Sequence, residues 1–179
     1  MDNIVIAITG PTGSGKTSVS LALAKKLDKC VFIEVDHVKH MILCGFHKEI
    51  DENGAEIWQY SEWRLLGETI GQMSSNFTRN GFNVVIGGYL NVESWEEIEK
   101  YSKIDYRILL NPSREIIKIR DNERDSKYYM GEEAIQEHLD YISENELFAG
   151  FTKIDSSDQT VDETVSAIQK IIASGSSLV

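Results

Sequence analysis

Basic residues, cysteine and proline are all scarce in this chain. Eighteen Lys and Arg stand against 29 Asp and Glu in 179 residues, a net charge of −11. Long-range attraction to a polyanion is therefore weak or repulsive, and neither duplex nucleic acid nor an anionic membrane is an expected partner. The two cysteines, Cys30 and Cys44, lack metal-ligand spacing, and Cys30 opens an apolar run that reads as buried. Neither a disulfide framework nor a zinc site is expected, and the thiols read as those of a cytoplasmic protein. No stretch reaches the ~18 apolar residues of a membrane span, and the Met-Asp-Asn start lacks the basic residues of a secretory leader. Repeats, low-complexity tracts and linkers are missing too. The length fits one domain over residues 1–179, large enough to bury roughly 70% of its unfolded surface.

What is present is an alternation of short β-branched runs with helical patterns. Residues 4–8 predict a first strand, followed by a glycine-rich turn and a helix over 17–27. Residues 31–35 predict a second strand; Asp36 then stands where a helix would be capped, ahead of Val38, Met41 and Ile42. Apolar and aromatic residues recur near helical period from 55 to 80 and predict one long helix, with a break near Gly67 allowed. Strands are expected over 82–86, 104–110 and 151–154, and helices over 93–100, 113–120, 132–146 and 160–173, with a frayed tail over 174–179. Such alternation predicts an α/β fold, a five-stranded, mainly parallel sheet with helices on both faces. Ligands of such sheets bind beyond the carboxyl ends of the strands, so the first three strand-to-helix junctions should line one cleft.

The first junction carries chemistry. Gly10-Pro11-Thr12-Gly13-Ser14-Gly15-Lys16-Thr17 fits G-x-x-x-x-G-K-[ST], directly after a strand and at the opening of a helix. A turn that merely connects strand to helix needs no lysine followed by threonine. Here backbone N–H groups can curl around phosphate oxygens, Lys16 can reach the β and γ phosphates, and Thr17 can offer its hydroxyl to Mg²⁺. ATP with Mg²⁺ is the expected ligand, with Ser18 completing the nucleotide-binding set.

At the second junction Asp36 and Glu34 lie two residues apart, on one face of an extended strand. Two carboxylates are then expected near the γ-phosphate, one accepting a proton from an attacking hydroxyl and one, Glu34, serving Mg²⁺. The blander role for Asp36 is that of a helix cap. His37 and His40, three apart and without a third ligand, are candidates for touching the acceptor rather than holding a metal. Arg120 and Arg124, four apart, share a helix face and enter a polar stretch over 121–131 that reads as a flexible lid. Cationic groups on a lid suit phosphoryl transfer; the alternative is a solvated face laced with Glu115, Asp121, Glu123 and Asp125. Trp58, Tyr60 and Trp63 would cap the cleft, although aromatics at helical spacing usually serve a core.

Together, residues 10–17, 32–36, 84–88, 109–124 and 151–155 resemble the small P-loop kinases of the shikimate kinase, gluconate kinase and chloramphenicol phosphotransferase type. That group shares the nucleoside monophosphate kinase-like fold, a three-layer P-loop NTPase architecture. The resemblance implies that Asp36 activates the acceptor and that Glu34 takes a place where many members have a second aspartate. It further implies that Gly87 and Gly88 form a substrate-loop pair, that Arg120 faces the adenine and that Arg124 faces the phosphates. Residues 32–46 also resemble bacterial kinases of this group whose acceptor is unassigned. The expected catalytic set is Lys16, Asp36 and Arg124, and the expected acceptor contacts are Asp36, His37, Gly87 and Gly88.

Two other classes compete. Residues 51–54 match D-x-x-G, and residues 152–155 are a variant of the guanine-reading N-K-x-D, which adds Asp155 to the nucleotide-binding candidates and would suit a nucleotide-controlled switch. The arginine spacing also suits a 5′-hydroxyl polynucleotide kinase, whose channel should be basic where this chain is acidic. The expected activity is transfer of phosphate from ATP to a hydroxyl of a small metabolite or antibiotic.

Overall fold

A computed structural model of the chain describes residues 3–44, 48–50, 56–58, 60–123 and 129–175. In chain order the elements are β1 (Val5–Thr9), α1 (Lys16–Lys26), β2 (Cys30–Glu34), α2 (Val35–Lys39), β3 (Lys48–Ile50), β4 (Glu56–Trp58), α3 (Tyr60–Arg79) and β5 (Asn83–Gly87). There follow α4 (Val92–Tyr101), β6 (Tyr106–Leu110), α5 (Arg114–Asn122), α6 (Gly131–Glu144), a 3-10 turn (Glu146–Gly150), β7 (Thr152–Ile154) and α7 (Val161–Ser174).

Five strands form one sheet in the order β2-β5-β1-β6-β7, and every neighbouring pair is parallel. The expected architecture holds. Because side chains alternate along a strand, β1 feeds both layers. Val5 and Ala7 join Leu66, Ile70, Trp95 and Ile98 of α3 and α4 on one face; Ile6 and Ile8 join Val19, Leu23, Val165 and Ile168 of α1 and α7 on the other. β1 is thus central and wholly buried. The chain runs leftward from it to β2, returns through β5 and crosses to β6, which places the order reversal, and hence the ligand crevice, at the carboxyl end of β1.

Two expectations about local structure are corrected. Residues 56–58 are not helical: β3 and β4 pair antiparallel as a separate two-stranded sheet, and Trp58 lies on a strand. Ile57 and Trp58 happen to continue the helical period of Leu65 and Leu66, and strands this short carry too few residues to show their own alternation. α3 itself runs through Gly67 without a break. Its glycine answers a packing demand, because a Cβ there would lie 2.2 Å from the Ser94 carbonyl oxygen of α4. Gly67→Ala should therefore lower stability by about 2 kcal/mol despite alanine's better helix propensity; a urea midpoint equal to or above the wild type's would contradict this.

The thiols are unpaired. Cys30 is half-buried, and burial pushes its thiol up to about 11 against a smaller opposing hydrogen bond from the Val85 backbone. No helix among the described residues is long and apolar enough to cross a membrane. At the C-terminus α7 closes on Gly175 in a left-handed conformation; the rest of the expected frayed tail, 176–179, lies outside the described residues.

Candidate active site

The P-loop hangs between β1 and α1 as its spacing requires. Gly13 and Gly15 have φ of 71° and 90°, and a Cβ on Gly13 would press within 3.1 Å of the Ile117 carbonyl oxygen of α5. The loop is therefore wedged against α5, and only glycine fits there. α1 starts at Lys16 with no side-chain cap, which leaves its first N–H groups directed at the loop's interior. Ser14 Oγ is buried and has no hydrogen-bond partner in the protein. Open N–H donors, an unpaired buried hydroxyl and a helix N-terminus together fit a nucleotide's phosphates. Lys16 Nζ donates to the Pro11 carbonyl at 2.7 Å, and Ser14 N donates to the same oxygen at 3.2 Å, so hydrogen bonds within the loop help to set its shape. Thr17 and Ser18 are exposed at the start of α1, where a hydroxyl can join a cation's coordination shell.

The second junction differs in detail from the sequence expectation. β2 ends at Glu34, which holds the N-cap position of α2, while Asp36 lies inside the helix's first turn, exposed. Asp36 is therefore not a cap, and it does not share a strand face with Glu34. Glu34 sits on the strand face of Cys30 and Phe32, which pack on the α1 side of the sheet. It accepts an ion-pair contact from His37 Nδ1 at 3.1 Å. His37 is 80% exposed and Glu34 18%, so the pair is anchored by the carboxylate. Beside them Glu34 pairs in register with Gly87 of β5, and a Cβ on Gly88 would collide with Val35 Cβ at 2.4 Å. The glycine pair has a steric reason for being there: it lets the start of α2 close onto β5.

Arg120 lies one turn beyond Ile117 on α5, and its Nη2 donates to the Ser156 carbonyl at 2.8 Å, just past β7. Asp155 is committed to the same turn. It accepts from Ser157 N at 2.9 Å and from the Ser157 hydroxyl, and these bonds hold its carboxyl below the usual range. Ser157 Oγ in turn accepts from Ser113 N at the start of α5. Arg120 and residues 155–157 are thus one assembly at the edge of the P-loop. Arg124 and most of the expected lid, 124–128, lie outside the described residues.

Several residues of the cleft had no mark in the sequence. Asp121, grouped by sequence with solvated charges, is 1% exposed and accepts from the backbone N–H groups of Met130 and Gly131, at 3.1 and 3.0 Å to Oδ2. It ties the start of α6 to α5, as does the Lys118–Glu132 pair at 2.6 Å. Tyr89, immediately after the glycine pair, packs edge-on to Trp63 of α3 at 5.9 Å and stacks on His138 of α6 at 4.9 Å. Burial first, and then Tyr141 and Glu93, push the Tyr89 hydroxyl upward and keep it protonated. Lys39 of α2 stands over the Trp63 ring at 5.5 Å; burial lowers its pKa, while Asp36 and Glu62 act in the opposite sense. From α2 to α6, one wall of the cleft is therefore Lys39, Trp63, Tyr89 and His138. The strand-end position of Tyr89 was the available signal; His138 had none, since its neighbours come from β1 and β5 junctions far away in sequence.

Fold and loop define a P-loop kinase. The chain belongs to the zeta toxin family, whose model matches residues 2–174. No curated protein matches it in sequence. Among solved structures it is similar to a sugar kinase from a Janibacter species, with TM-score 0.71, 15% identity, and 96% of this chain and 95% of that one covered. It is also similar to thymidylate kinase from Candida albicans, with TM-score 0.67, 14% identity and coverage of 99% and 94%. A tunicamycin resistance protein from Deinococcus radiodurans has TM-score 0.67, 15% identity and 95% coverage of both chains. At such identities the likeness is one of fold.

Proposed function

We propose that this P-loop kinase transfers the γ-phosphoryl group of ATP, with Mg²⁺, to a hydroxyl of a small metabolite or antibiotic. The carrying observation is the carboxylate pair at the end of β2: Glu34 faces the α1 side and Asp36 stands exposed in the next turn, at the same end of the sheet as the P-loop. Bound MgATP would supply the phosphoryl group and the metal's charge. Lys16 and the open N–H groups of α1 hold the phosphates, and Thr17 and Glu34 are the residues placed to hold the cation. Asp36 orients the acceptor hydroxyl and takes its proton, with His37 and residues 87–88 lining the approach. Arg120 and the turn at 155–157 border the adenine, and Arg124 neutralises charge on the transferred group.

The named structural neighbours support an acceptor that is a small molecule. The switch reading is weakened because β7 is the last strand, at the edge of the sheet, and Asp155 is spent on its own turn; the D-x-x-G match at 51–54 lies outside the described residues. A screen of hydroxylated metabolites and antibiotics, coupled to ADP release and with a 5′-hydroxyl oligonucleotide as a separate arm, tests the proposal. Release above the ATPase background with a small molecule is the expected result; stimulation by the oligonucleotide alone would move the assignment to the polynucleotide class. Arg120→Ala should raise KM for ATP several-fold with kcat little changed, and Arg124→Ala should lower kcat more than ATP affinity. Steady-state kinetics at varied ATP distinguishes the two, and interchanged effects would refute the assignment.

A further inference from the structure

Helix α6 brings a histidine onto Tyr89, at the carboxyl end of β5, the strand that pairs with β1 of the P-loop. His138 stacks on Tyr89 at an interplanar angle of 18° and lies within electrostatic reach of Lys16. Its Nδ1 is buried and has no hydrogen-bond partner in the protein, so the ring carries hydrogen-bonding capacity that the protein itself does not use. The ring's position is imposed rather than incidental. Asp121 fixes the first residues of α6, and Val92 N donates to Tyr141 Oη at 3.0 Å, fastening the middle of α6 to the start of α4.

We infer that His138 is a phosphoryl-contacting residue, a ring nitrogen hydrogen-bonding an oxygen of the γ-phosphoryl group that Lys16 holds. The inference rests on the ATP reading of the P-loop. Of the groups around the imidazole, Lys16 is cationic, while Tyr89 stacks on it and Tyr141 packs on Tyr89. Burial first, and then Lys16, hold His138 below its ordinary pKa, so without a nucleotide the ring is a neutral hydrogen-bonding group. A γ-phosphoryl group beside Lys16 offsets the ammonium charge and offers an anionic acceptor, with which an imidazole N–H makes a strong bond. A group that meets only the γ-phosphoryl must distinguish ATP from ADP, whereas the P-loop amides serve both.

Calorimetric titration with Mg²⁺ and either AMP-PNP or ADP tests this directly, without an acceptor. His138→Phe keeps a ring against Tyr89 and removes both nitrogens. It should weaken AMP-PNP about tenfold and leave ADP within about twofold. Nitrogen spectra of wild-type protein labelled at histidine provide the second measurement: one imidazole signal, the one missing in His138→Phe, should shift with AMP-PNP and stay put with ADP. Equal weakening of both nucleotides, or an unmoved His138 signal, overturns the inference while leaving the ATP reading intact. Failure of either nucleotide to bind the wild type overturns both.

Discussion

Lys16→Ala is expected to give a folded protein with turnover reduced by ~10³-fold or more. The lysine is the first residue of α1 and donates to the Pro11 carbonyl inside the same loop; alanine at a helix start costs little, so the melting temperature should move by no more than a few degrees. What is lost is the single side-chain cation that the loop brings to the β and γ phosphates, in a chain whose net charge is −11. ADP release under saturating acceptor is the measurement. A folded variant with wild-type turnover would remove the P-loop from the reaction and with it the functional assignment.

Asp36→Asn carries the second large effect. The sequence left two roles for this carboxylate, a cap or a proton acceptor, and the structure removes the first by placing Glu34 at the cap position. Asparagine keeps the shape and hydrogen-bonding length of the side chain, and an exposed first-turn carboxylate gives a helix less than about 1 kcal/mol. Stability should hardly change. Phosphotransfer to an acceptor found in the screen should fall by roughly 10²-fold or more, with AMP-PNP binding retained, because the amide cannot take the hydroxyl's proton. Near-wild-type transfer would end the assignment and direct attention to Glu34 and His37, which already contact each other.

Local patterns carried most of the fold. Buried parallel strands show as unbroken apolar runs such as Val84, Val85 and Ile86. The P-loop is legible because its chemistry is contiguous: phosphate-binding donors, cation and hydroxyl all come from eight successive positions. The short hairpin of β3 and β4 is illegible for the opposite reason, since three-residue strands offer no period to detect. Asp121 read as one more surface acid because a buried helix-start acceptor differs from a solvated one only in what packs over it. Of the cleft wall, the sequence offered Trp63 as a candidate cap but gave no sign of its partners. Trp63, Tyr89 and His138 come from three elements, and only the closing of α3 and α6 over the β5 junction makes them neighbours.

Asp121 has a further consequence for the way such an enzyme can change over time. Its carboxylate receives Met130 and Gly131 while belonging to α5 itself, so the segment leaving α5 and the one entering α6 meet at a buried side chain, with the Lys118–Glu132 pair beside it. The intervening residues close a ring whose entropic cost grows only logarithmically, by about 0.6 kcal/mol for each doubling of length. Insertions and deletions there are cheap, and they do not tilt α6, because its direction is fixed by the clamp and not by the tether. Around Arg124 that stretch can therefore change length at little cost to stability, so long as the arginine still reaches the phosphates, while His138, Tyr141 and the wall they build keep their place.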